Sequence, residues 1–555
     1  MFGCKCFYWN SLPDSYPDQP KPYSLPSKLP RWPKGNGFAT GRINFGELEV
    51  LNITKFECIW SYNPKNEKKK GATFYKPIDI PDGFFSLGHY GQSNDEPLRG
   101  FVLVARDINH NHNNSTHLPA LTKPISFTLI WSTDDFSEGT QNDCCYFWLP
   151  IPPTGYKAVG FLVTNNPDPP AHDEVRCVRE DLTESCEKYD VILKAPFRVW
   201  NTRPCCRGML GKGISVGTFF CNTSDVNSVD DLNIACLKNV DPTLQAMPNL
   251  DQIHALIKHY GPTVSFHPTE KYLPSSVPWF FKNGALLYRN GDSIGEPIDG
   301  NGSNLPEGGC NDGEYWIGLA DDDQSKYVKN GDIESAELYA HVKPAYGGSF
   351  TDIAMWIFCP FNGPITLKLG VVSISCGKLG QHVGDWEHIT LRINNFTGEL
   401  WGIYFSQHSG GEWVEAYDLE YIRGNKAIVY SSKSGHASFP HPGCHYQGSK
   451  VVGIRNDAER SDRLVDSSVK YQIVAAEYLG EGVVVEPRWL NFMREWGPTI
   501  VYNSKSELDK IIGSLPVFLR LSVENLFDKL PLELYGEEGP TGPKEKNNWV
   551  GDERC

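Results

Sequence analysis

The chain has 555 residues, of which 40% are hydrophobic and 21% charged, and its formal net charge is −15. This composition excludes a disordered chain, and 67 acidic against 52 basic residues argue against a general nucleic-acid binder, which needs a basic face. At about 150 residues per domain, the length predicts two to four domains. Sixteen cysteines are too sparse for a disulfide scaffold, and we expect them to be thiols.

Residues 1–36 are predicted to form a proline-rich, extended arm, because seven prolines lie between residues 12 and 36. The first residues lack the apolar run of a signal peptide, and no apolar stretch reaches the length of a transmembrane helix, so neither is expected. Cys4 and Cys6, which lie beside aromatic residues, are candidates for acylation. The alternative is a pair of reduced cysteines on a frayed tail.

From residue 37 onward, short runs of β-branched and aromatic residues alternate with turn residues, which predicts an all-β domain over 37–240. A unit of aromatic strand, proline turn, glycine and second strand occurs at 74–88, at 146–160 and, in degenerate form, at 197–217. One such unit cannot bury its own face, so stacked copies are predicted to share a core. The alternative is that these segments are unrelated hairpins.

This pattern resembles the aromatic-proline-glycine repeats in the adaptor-binding region of the large bridge-like lipid-transfer vacuolar sorting proteins. The resemblance implies that the repeats provide a docking surface for endomembrane sorting proteins. It assigns that role to no individual residue.

Helical periodicity is rare and marks two segments. Apolar residues at helical spacing predict a helix over 250–260, with Asn249 as its N-cap. A second helix is predicted over 505–512, where Ser504 and Glu507 have the spacing of a capping box.

The side chains best suited to bind a metal ion or to act in catalysis lie in a predicted strand over 384–393. Alternation places Asp385 and Glu387 on one face and Trp386 and His388 on the other. Two carboxylates on one face repel each other unless a positive group lies between them, and a hard divalent cation would serve. A general acid–base pair and a plain solvent-exposed edge strand are the alternatives. The histidines that could complete or orient the site are His382, His408 and His436.

The segment 381–388, Gln-His-Val-Gly-Asp-Trp-Glu-His, is similar to the heptapeptide Gly-His-Arg-His-Asp-Trp-Glu of the necrosis- and ethylene-inducing peptide family. That resemblance implies a β-sandwich of the toxin-lectin type, which we place over 250–545. It also implies a Ca²⁺ or Mg²⁺ ion held by Asp385, with Glu387 and His382 near it. Asn362 falls where that family has a second aspartate, and Gly384 replaces its second histidine.

Longer motifs in matching order extend over nearly the whole chain. They include Phe-His-Pro at 266–268, Val-Gly-Asp-Trp-Glu-His at 383–388, Ser-Gly-His-Ala-Ser at 434–438 and Gly-Pro-Thr-Gly-Pro-Lys at 539–544. On these residues the chain is identified as a member of the plant family related to vacuolar protein sorting-associated protein 62. This implies a role in vacuolar sorting and supplies no mechanism.

The sequence therefore predicts a mainly-β, non-enzymatic protein, cytoplasmic and peripherally associated with an endomembrane or vacuolar surface. Its second domain would bind a membrane or glycolipid through a Ca²⁺ or Mg²⁺ ion, with Trp279 and Trp413 as interface contacts. The rival prediction is a metal-dependent hydrolase that uses Asp385 and Glu387. The complete predicted ligand set is Asp385, Glu387, His382, Asn362, His408 and His436.

Overall fold

The computed structural model describes residues 20–64, 70–108, 118–135, 144–222, 233–369, 372–376, 379–408, 410–448, 452–499, 513 and 540–554. The chain divides into two compact units. Unit 1 comprises 1–24, 47–205 and 215–238, and unit 2 comprises 25–46, 206–214 and 239–555. The division is discontinuous, and segment 25–46 of the chain belongs to unit 2. The sequence-based limits 1–36, 37–240 and 250–545 stay predictions.

The chain is built mainly from short strands. Up to residue 238 they are β1 (Arg42–Asn44), β2 (Leu48–Ile53), β3 (Phe56–Tyr62), β4 (Ala72–Pro77), β5 (Phe85–Ser86), β6 (Tyr90–Ser93), β7 (Val102–Asp107), β8 (Leu121–Thr122), β9 (Ser126–Ser132), β10 (Tyr146–Ile151), β11 (Tyr156–Lys157), β12 (Leu162–Thr164), β13 (Cys177–Arg179), β14 (Thr183–Glu184), β15 (Cys186–Leu193), β16 (Arg198–Pro204), β17 (Gly213–Ile214), β18 (Phe219–Asn222) and β19 (Cys236–Lys238).

The later strands include the two longest. They are β20 (Thr263–Phe266), β21 (Ala285–Arg289), β22 (Glu296–Pro297), β23 (Tyr315–Leu319), β24 (Leu338–Ala345), β25 (Phe350–Asn362), β26 (Thr366–Leu369), β27 (Val372–Ser375), β28 (His382–Asn394), β29 (Glu399–Gln407), β30 (Gly410–Glu415), β31 (Tyr421–Arg423), β32 (Lys426–Ser431), β33 (Ser438–Phe439), β34 (Gly443–Gly448), β35 (Val452–Ala458), β36 (Leu464–Asp466) and β37 (Tyr471–Ala475). The helices are α1 (Leu250–Tyr260), α2 (Val277–Lys282) and α3 (Asp323–Lys329).

In unit 1 the three predicted repeat copies occupy equivalent positions. Each supplies the middle strand of a three-stranded antiparallel sheet, in the orders β3-β4-β6, β9-β10-β12 and β15-β16-β18. Phe74, Phe147 and Phe197, one from each copy, meet in one core, with ring centroids 4.8 Å and 4.7 Å apart. The prediction that the copies share a core is therefore confirmed.

Glycines fix the turns of the first two copies and their close approach. Gly83 and Gly155 adopt nearly the same left-handed conformation, with φ of +83° and +81°, which a residue with a Cβ atom adopts at a cost. Gly160 lies against Thr218, the residue that follows the third copy, because a Cβ atom at Gly160 would be 2.6 Å from the Thr218 side chain. The small residues thus let the copies pack closely around one centre.

Unit 2 is organised around a six-stranded sheet in the order β30-β29-β28-β25-β24-β37. Its two long strands, β25 and β28, pair antiparallel from Phe350 opposite Asn394 to Asn362 opposite His382. A second sheet, β31-β32-β20-β36, carries the short strand β33 on β32, and β33 contacts β28 and β29. The mainly-β fold class is confirmed.

The helix predicted over 250–260 is α1, and its predicted cap is confirmed. The Asn249 side chain accepts from the Gln252 backbone N–H, and the Gln252 side chain accepts from the Asn249 N–H, forming a capping box. The helix predicted over 505–512 lies outside the described residues. Within the described ranges, no helix has the length and apolar character needed to cross a bilayer.

A tryptophan cluster fixes the part of unit 2 that carries the candidate site. Trp386 of β28 packs against Trp489 and Trp496, with ring centroids 5.5 Å and 5.1 Å away. All three are buried, and burial of one aromatic side chain contributes about 2–3 kcal/mol. This side of β28 is thus held by a rigid aromatic core, which limits movement of the neighbouring residues.

Candidate functional site

The candidate site is a cavity of 470 Å³ in unit 2, where strands β28 and β29 separate. Their pairing ends at Ile389 opposite Phe405. One residue further on, the Ser406 hydroxyl rather than a backbone carbonyl accepts from the His388 N–H, at 3.1 Å. The preceding segment 382–388 has no described strand paired with it on the β29 side. Side chains from both faces of this segment line the cavity there.

One part of the cavity wall is aromatic. Trp356, Trp386 and Tyr404 line it, and the His388 ring packs on Trp356 at 4.4 Å and on Tyr404 at 5.6 Å between centroids. The buried indole nitrogens of Trp356 and Trp386 have no acceptor among the described residues. Flat rings beside unused hydrogen-bond donors suit a ligand with an apolar face and polar edges.

Asp385 lies at the cavity in a buried ion pair. His436 Nδ1 is 2.7 Å from Asp385 Oδ2, and His436 Nε2 donates to the Tyr272 carbonyl at 2.8 Å. Burial opposes charge on Asp385, but the hydrogen bond and charge of His436, together with the charges of His382 and Lys546, outweigh burial and lower the Asp385 pKa. Burial likewise opposes charge on His436, yet Cys359 and Asp385 hold its pKa well above the usual value. The pair is therefore ionised at neutral pH.

Glu387, unlike Asp385, is protonated at neutral pH. Burial, reinforced by the charge of Asp385, raises the pKa of Glu387 to about 8, although the hydrogen bond from Ser406 lowers it in part. The Ser406 hydroxyl donates to Glu387 Oε2. At pH 7 Asp385 is thus ionised and Glu387 protonated, and a protonated carboxyl can both donate and accept.

Three further predicted residues line the same cavity. His382, with its pKa lowered by burial, pairs through Nδ1 with the Gly384 carbonyl at 2.9 Å. The Asn362 amide donates to the Gly380 carbonyl at 2.6 Å, and His408 Nε2 lies 3.0 Å from Asn456 Oδ1. Five of the six predicted ligands thus line one cavity. His436 lies behind Asp385 and does not line the cavity.

The remaining predicted contact residues lie elsewhere. Trp279 is half-buried and packs against Tyr327 at 5.9 Å. Trp413 is half-buried too, with the Arg392 guanidinium 4.0 Å above its ring. Neither lines the cavity, and their role as interface contacts stays a prediction. Cys4 and Cys6 lie outside the described residues.

The predicted cation finds no conventional ligand set. In the described part of the chain, no group of three His, Cys, Asp or Glu side chains is placed to hold a metal ion. The carboxylate predicted as the principal ligand, Asp385, is already paired with His436. The residues as arranged do not fit a Ca²⁺ or Mg²⁺ site, so we assign no step to such an ion, and it stays a prediction.

Gly384 has a steric reason to differ from the histidine of the toxin heptapeptide. Its φ is +68°, and a Cβ atom there would lie 2.2 Å from the Trp496 carbonyl oxygen. A side chain at this position would displace the tryptophan cluster. The second histidine of that heptapeptide therefore has no counterpart at this position.

The sequence motifs missed one wall of the cavity. It is formed by residues of the segment 540–554, among them Lys546, Asn548 and Glu553. The Glu553 carboxylate is buried and accepts from Thr390 at 2.6 Å, with its other oxygen 2.9 Å from His388 Nε2. No local motif identifies these residues, because their place in the site depends on a tertiary contact across about 160 residues of chain.

Fold and site together define a class: a mainly-β protein with a buried, mixed-charge and aromatic-walled cavity at the separation of two strands. Residues 19–553 match the family model of vacuolar protein sorting-associated protein 62. The chain belongs to that family, and this confirms the family predicted from the motifs. Its assignment to plants stays a prediction.

The relatives and solved structures share limited sequence identity with this chain. Vacuolar protein sorting-associated protein 62 of Saccharomyces cerevisiae is 24% identical over 352 residues, which are 53% of this chain and 73% of the yeast protein. Among solved structures, GNIP1Aa from Chromobacterium piscinae has a TM-score of 0.27 at 15% identity, covering 38% of this chain and 40% of its own. NLPPya in complex with glucosamine has a TM-score of 0.20 at 14% identity, and the match covers 39% of this chain and 76% of the NLPPya chain.

Proposed function

We propose that this chain is a non-enzymatic protein of vacuolar or endomembrane sorting that binds a sugar-bearing lipid headgroup in the cavity between β28 and β29. The observation that carries the proposal is the composition of the cavity wall. Trp356, Trp386 and Tyr404 face the same space as Asp385 and Glu387. Sugars combine an apolar ring face with hydroxyl edges, so this mixture matches their chemistry.

The polar side of the cavity supports a neutral, hydroxyl-rich ligand. Asp385 is an acceptor held in place by His436, while protonated Glu387 is both donor and acceptor. A ligand with a full negative charge would meet the Asp385 carboxylate and the Glu553 carboxylate. The pKa of Glu553 is lowered to about 2, because His388, Lys343 and Thr390 together outweigh the effect of burial. Neutral hydroxyls avoid that repulsion.

Membership of the family supports the cellular setting, and the membrane part of the proposal rests on it. A peripheral protein that recognises a glycolipid headgroup needs an accessible cavity and no membrane-spanning helix. Partner proteins of the sorting pathway would dock on the repeats of unit 1, as the sequence pattern predicts.

The test is co-sedimentation of the full chain with neutral phosphatidylcholine vesicles, with and without a glycosphingolipid. We expect sedimentation only with the glycolipid. Gly410 lines the cavity, and the nearest atom to a Cβ placed there is the Arg554 carbonyl oxygen at 3.8 Å. Gly410→Phe should therefore fill the cavity without removing any polar group, and it should abolish binding.

Gly300→Phe is the matched control. Gly300 is exposed, is not part of the cavity wall, and has no atom within 4 Å of its added Cβ. This variant should bind as the unmodified chain does. Equal binding of Gly410→Phe and the unmodified chain would contradict the proposal.

The hydrolase remains a second candidate because of one observation. Asp385 and Glu387 have pKa values shifted in opposite directions, a pattern that general acid–base pairs share. Release of free sugar from the glycolipid, lost in Glu387→Gln while binding is kept, would establish it. Binding without turnover would exclude it for that substrate.

A further inference from the structure

Segment 25–46 of unit 2 has a charge unlike that of the rest of the chain. It carries four basic residues and no acidic residue, within a chain of net charge −15. Lys28, Arg31 and Lys34 are exposed, and the intervening backbone forms no sheet ladder. The segment is a basic row on an otherwise acidic protein.

Packing fixes the segment on unit 2. The Trp32 ring contacts Phe38, His259 and Tyr260, at centroid distances of 6.2, 5.7 and 6.0 Å. Gly398 admits the indole, since a Cβ there would be 2.3 Å from Trp32 Nε1. The row is therefore anchored through its centre by a buried aromatic contact.

Backbone hydrogen bonds hold both ends of the row. At one end, the Ser27 N–H donates to Asn425 Oδ1 at 2.8 Å, and the Asn425 amide donates to the Ser27 carbonyl at 2.9 Å. At the other end, side-chain amides of Gln252 and Asn249 donate to the Pro33 and Lys34 carbonyls at 2.9 and 3.0 Å. Because backbone atoms carry these bonds, the basic side chains are free of an anchoring role.

The spacing of the basic residues places them on one side. Pro26, Pro30 and Pro33 fix their own φ near −65° and hold the residues before them extended, which favours a polyproline II course. That helix has three residues per turn, so residues 28, 31 and 34 share a face, about 9 Å apart along the chain. We call Lys28, Arg31 and Lys34 the basic row.

Two further exposed basic residues lie close in sequence to residues that hold the segment. Lys258 precedes His259, whose ring packs on Trp32, and Arg423 lies two residues before Asn425. Asp251 is the exposed acidic residue of α1, and it lies at the N-terminal end of that helix, where Asn249 and Gln252 hold the Lys34 end of the row. Lys258 and Arg423 therefore extend the positive charge at the centre and at the Ser27 end of the row.

We propose that the basic row is the surface by which this protein contacts anionic phospholipids, separate from the headgroup cavity. This rests on the proposed function only in taking a membrane as the partner. Each basic residue near an anionic bilayer contributes about 1 kcal/mol, so three correspond to roughly 100-fold in affinity.

A flat anionic surface fits the row better than a proline-recognition domain. Such a domain grips the ring faces of a polyproline II helix in an aromatic groove. Here Trp32 is packed into unit 2, and the Pro33 carbonyl is bound by Gln252. The charged face is exposed to a partner, and hydrogen bonds at both ends hold its backbone in place before binding, which lowers the entropy cost.

The experiment uses the full chain and vesicles of phosphatidylcholine with 30% phosphatidylserine, as our chosen probe without glycolipid. We expect binding that weakens with salt, and no binding to pure phosphatidylcholine. The variant Lys28→Gln/Arg31→Gln/Lys34→Gln should bind about 100-fold more weakly. Lys271→Gln/Lys282→Gln/Lys326→Gln removes the same charge from exposed sites elsewhere in unit 2 and should bind within about threefold of the unmodified chain.

Equal loss in both triple variants would overturn the proposal, because net charge rather than the row would then matter. Unchanged binding of the first variant, or no binding by the intact chain, would overturn it too. If the chain binds polyglutamate more tightly than the vesicles, and the row variant loses that binding, the partner of the basic row is an acidic protein and the lipid proposal is overturned. Glycolipid binding by Gly410→Phe and by the row variant separates the two sites, since each variant should lose only its own ligand.

Discussion

His436 Nδ1 lies 2.7 Å from Asp385 Oδ2, and both side chains are buried. The sequence placed Asp385 opposite a metal ion, whereas the folded chain supplies the positive charge itself, from a loop 51 residues further along. His436 adopts a left-handed φ of +54° there. Such strain persists where the surroundings fix the conformation, and here two hydrogen bonds to the ring do so.

The first prediction concerns this ion pair. His436→Ala leaves a buried carboxylate without a partner, so it should destabilise unit 2 by about 3–5 kcal/mol. Asp385→Ala/His436→Ala should cost less than the sum of the two single substitutions, because the unpaired charge is gone. Urea unfolding of all four proteins measures the coupling. Simple additivity would show that the pair contributes nothing as a pair.

The second prediction concerns pH and Glu387. With a pKa of about 8, the folded chain keeps a proton that the unfolded chain loses above about pH 4.5. The contribution of Glu387 to stability should therefore fall as pH rises from about 4.5 to 8, by about 1 kcal/mol per pH unit, and then level off. Glu387→Gln should remove this decline, while the exposed control Glu296→Gln should keep it. Parallel curves for Glu387→Gln and the unmodified chain would refute it.

The third prediction concerns Gly384. Gly384→Ala should destabilise unit 2 by several kcal/mol, roughly 3 or more, since it adds an unfavourable φ of +68° to a clash with the Trp496 carbonyl. Gly291→Ala has a similar φ of +92° but no atom within 4 Å, and it should cost only about 1–2 kcal/mol. Thermal unfolding compares the two. Equal losses would mean that the close approach to Trp496 is unimportant.

The fourth prediction concerns the core shared by the repeats. Phe147 is fully buried between Phe74 and Phe197, so Phe147→Ala should cost about 3–5 kcal/mol. Ile151, in the same strand β10, is 38% exposed, and Ile151→Ala should cost under about 0.5 kcal/mol. Chemical denaturation followed by a probe in unit 1 distinguishes them. Comparable small losses would indicate that each copy is stable alone.

Local signals predicted local features correctly. The turn and aromatic pattern predicted the repeats and their common core, and the Asn249 cap and apolar spacing predicted α1 to the residue. Alternation around Asp385 predicted that Asp385 and Glu387 lie together, but Trp386 and His388, which it placed on the other face, line the same cavity. These features depend on neighbours in the chain, and a single sequence contains that information.

Features that depend on distant contacts were not predictable. Nothing near Ile389 indicates that β28 and β29 stop pairing there and open a cavity. Nothing near Glu553 indicates its contact with His388, 165 residues away. His436 is one of the histidines expected to complete or orient the site, but its direct ion pair with Asp385 follows from the meeting of a loop and a strand, which no spacing encodes.

The most direct test of the central claim is hydrogen–deuterium exchange of the full chain with neutral glycosphingolipid vesicles. If the cavity holds the headgroup, peptides covering 382–388 and 404–408 should gain protection when glycolipid is added. The same peptides of the Gly410→Phe variant should gain no protection. The amide of His388, bonded to the Ser406 hydroxyl, should report ligand most clearly. Protection confined to other regions, or equal protection in Gly410→Phe, would contradict the assignment of the cavity as the glycolipid site.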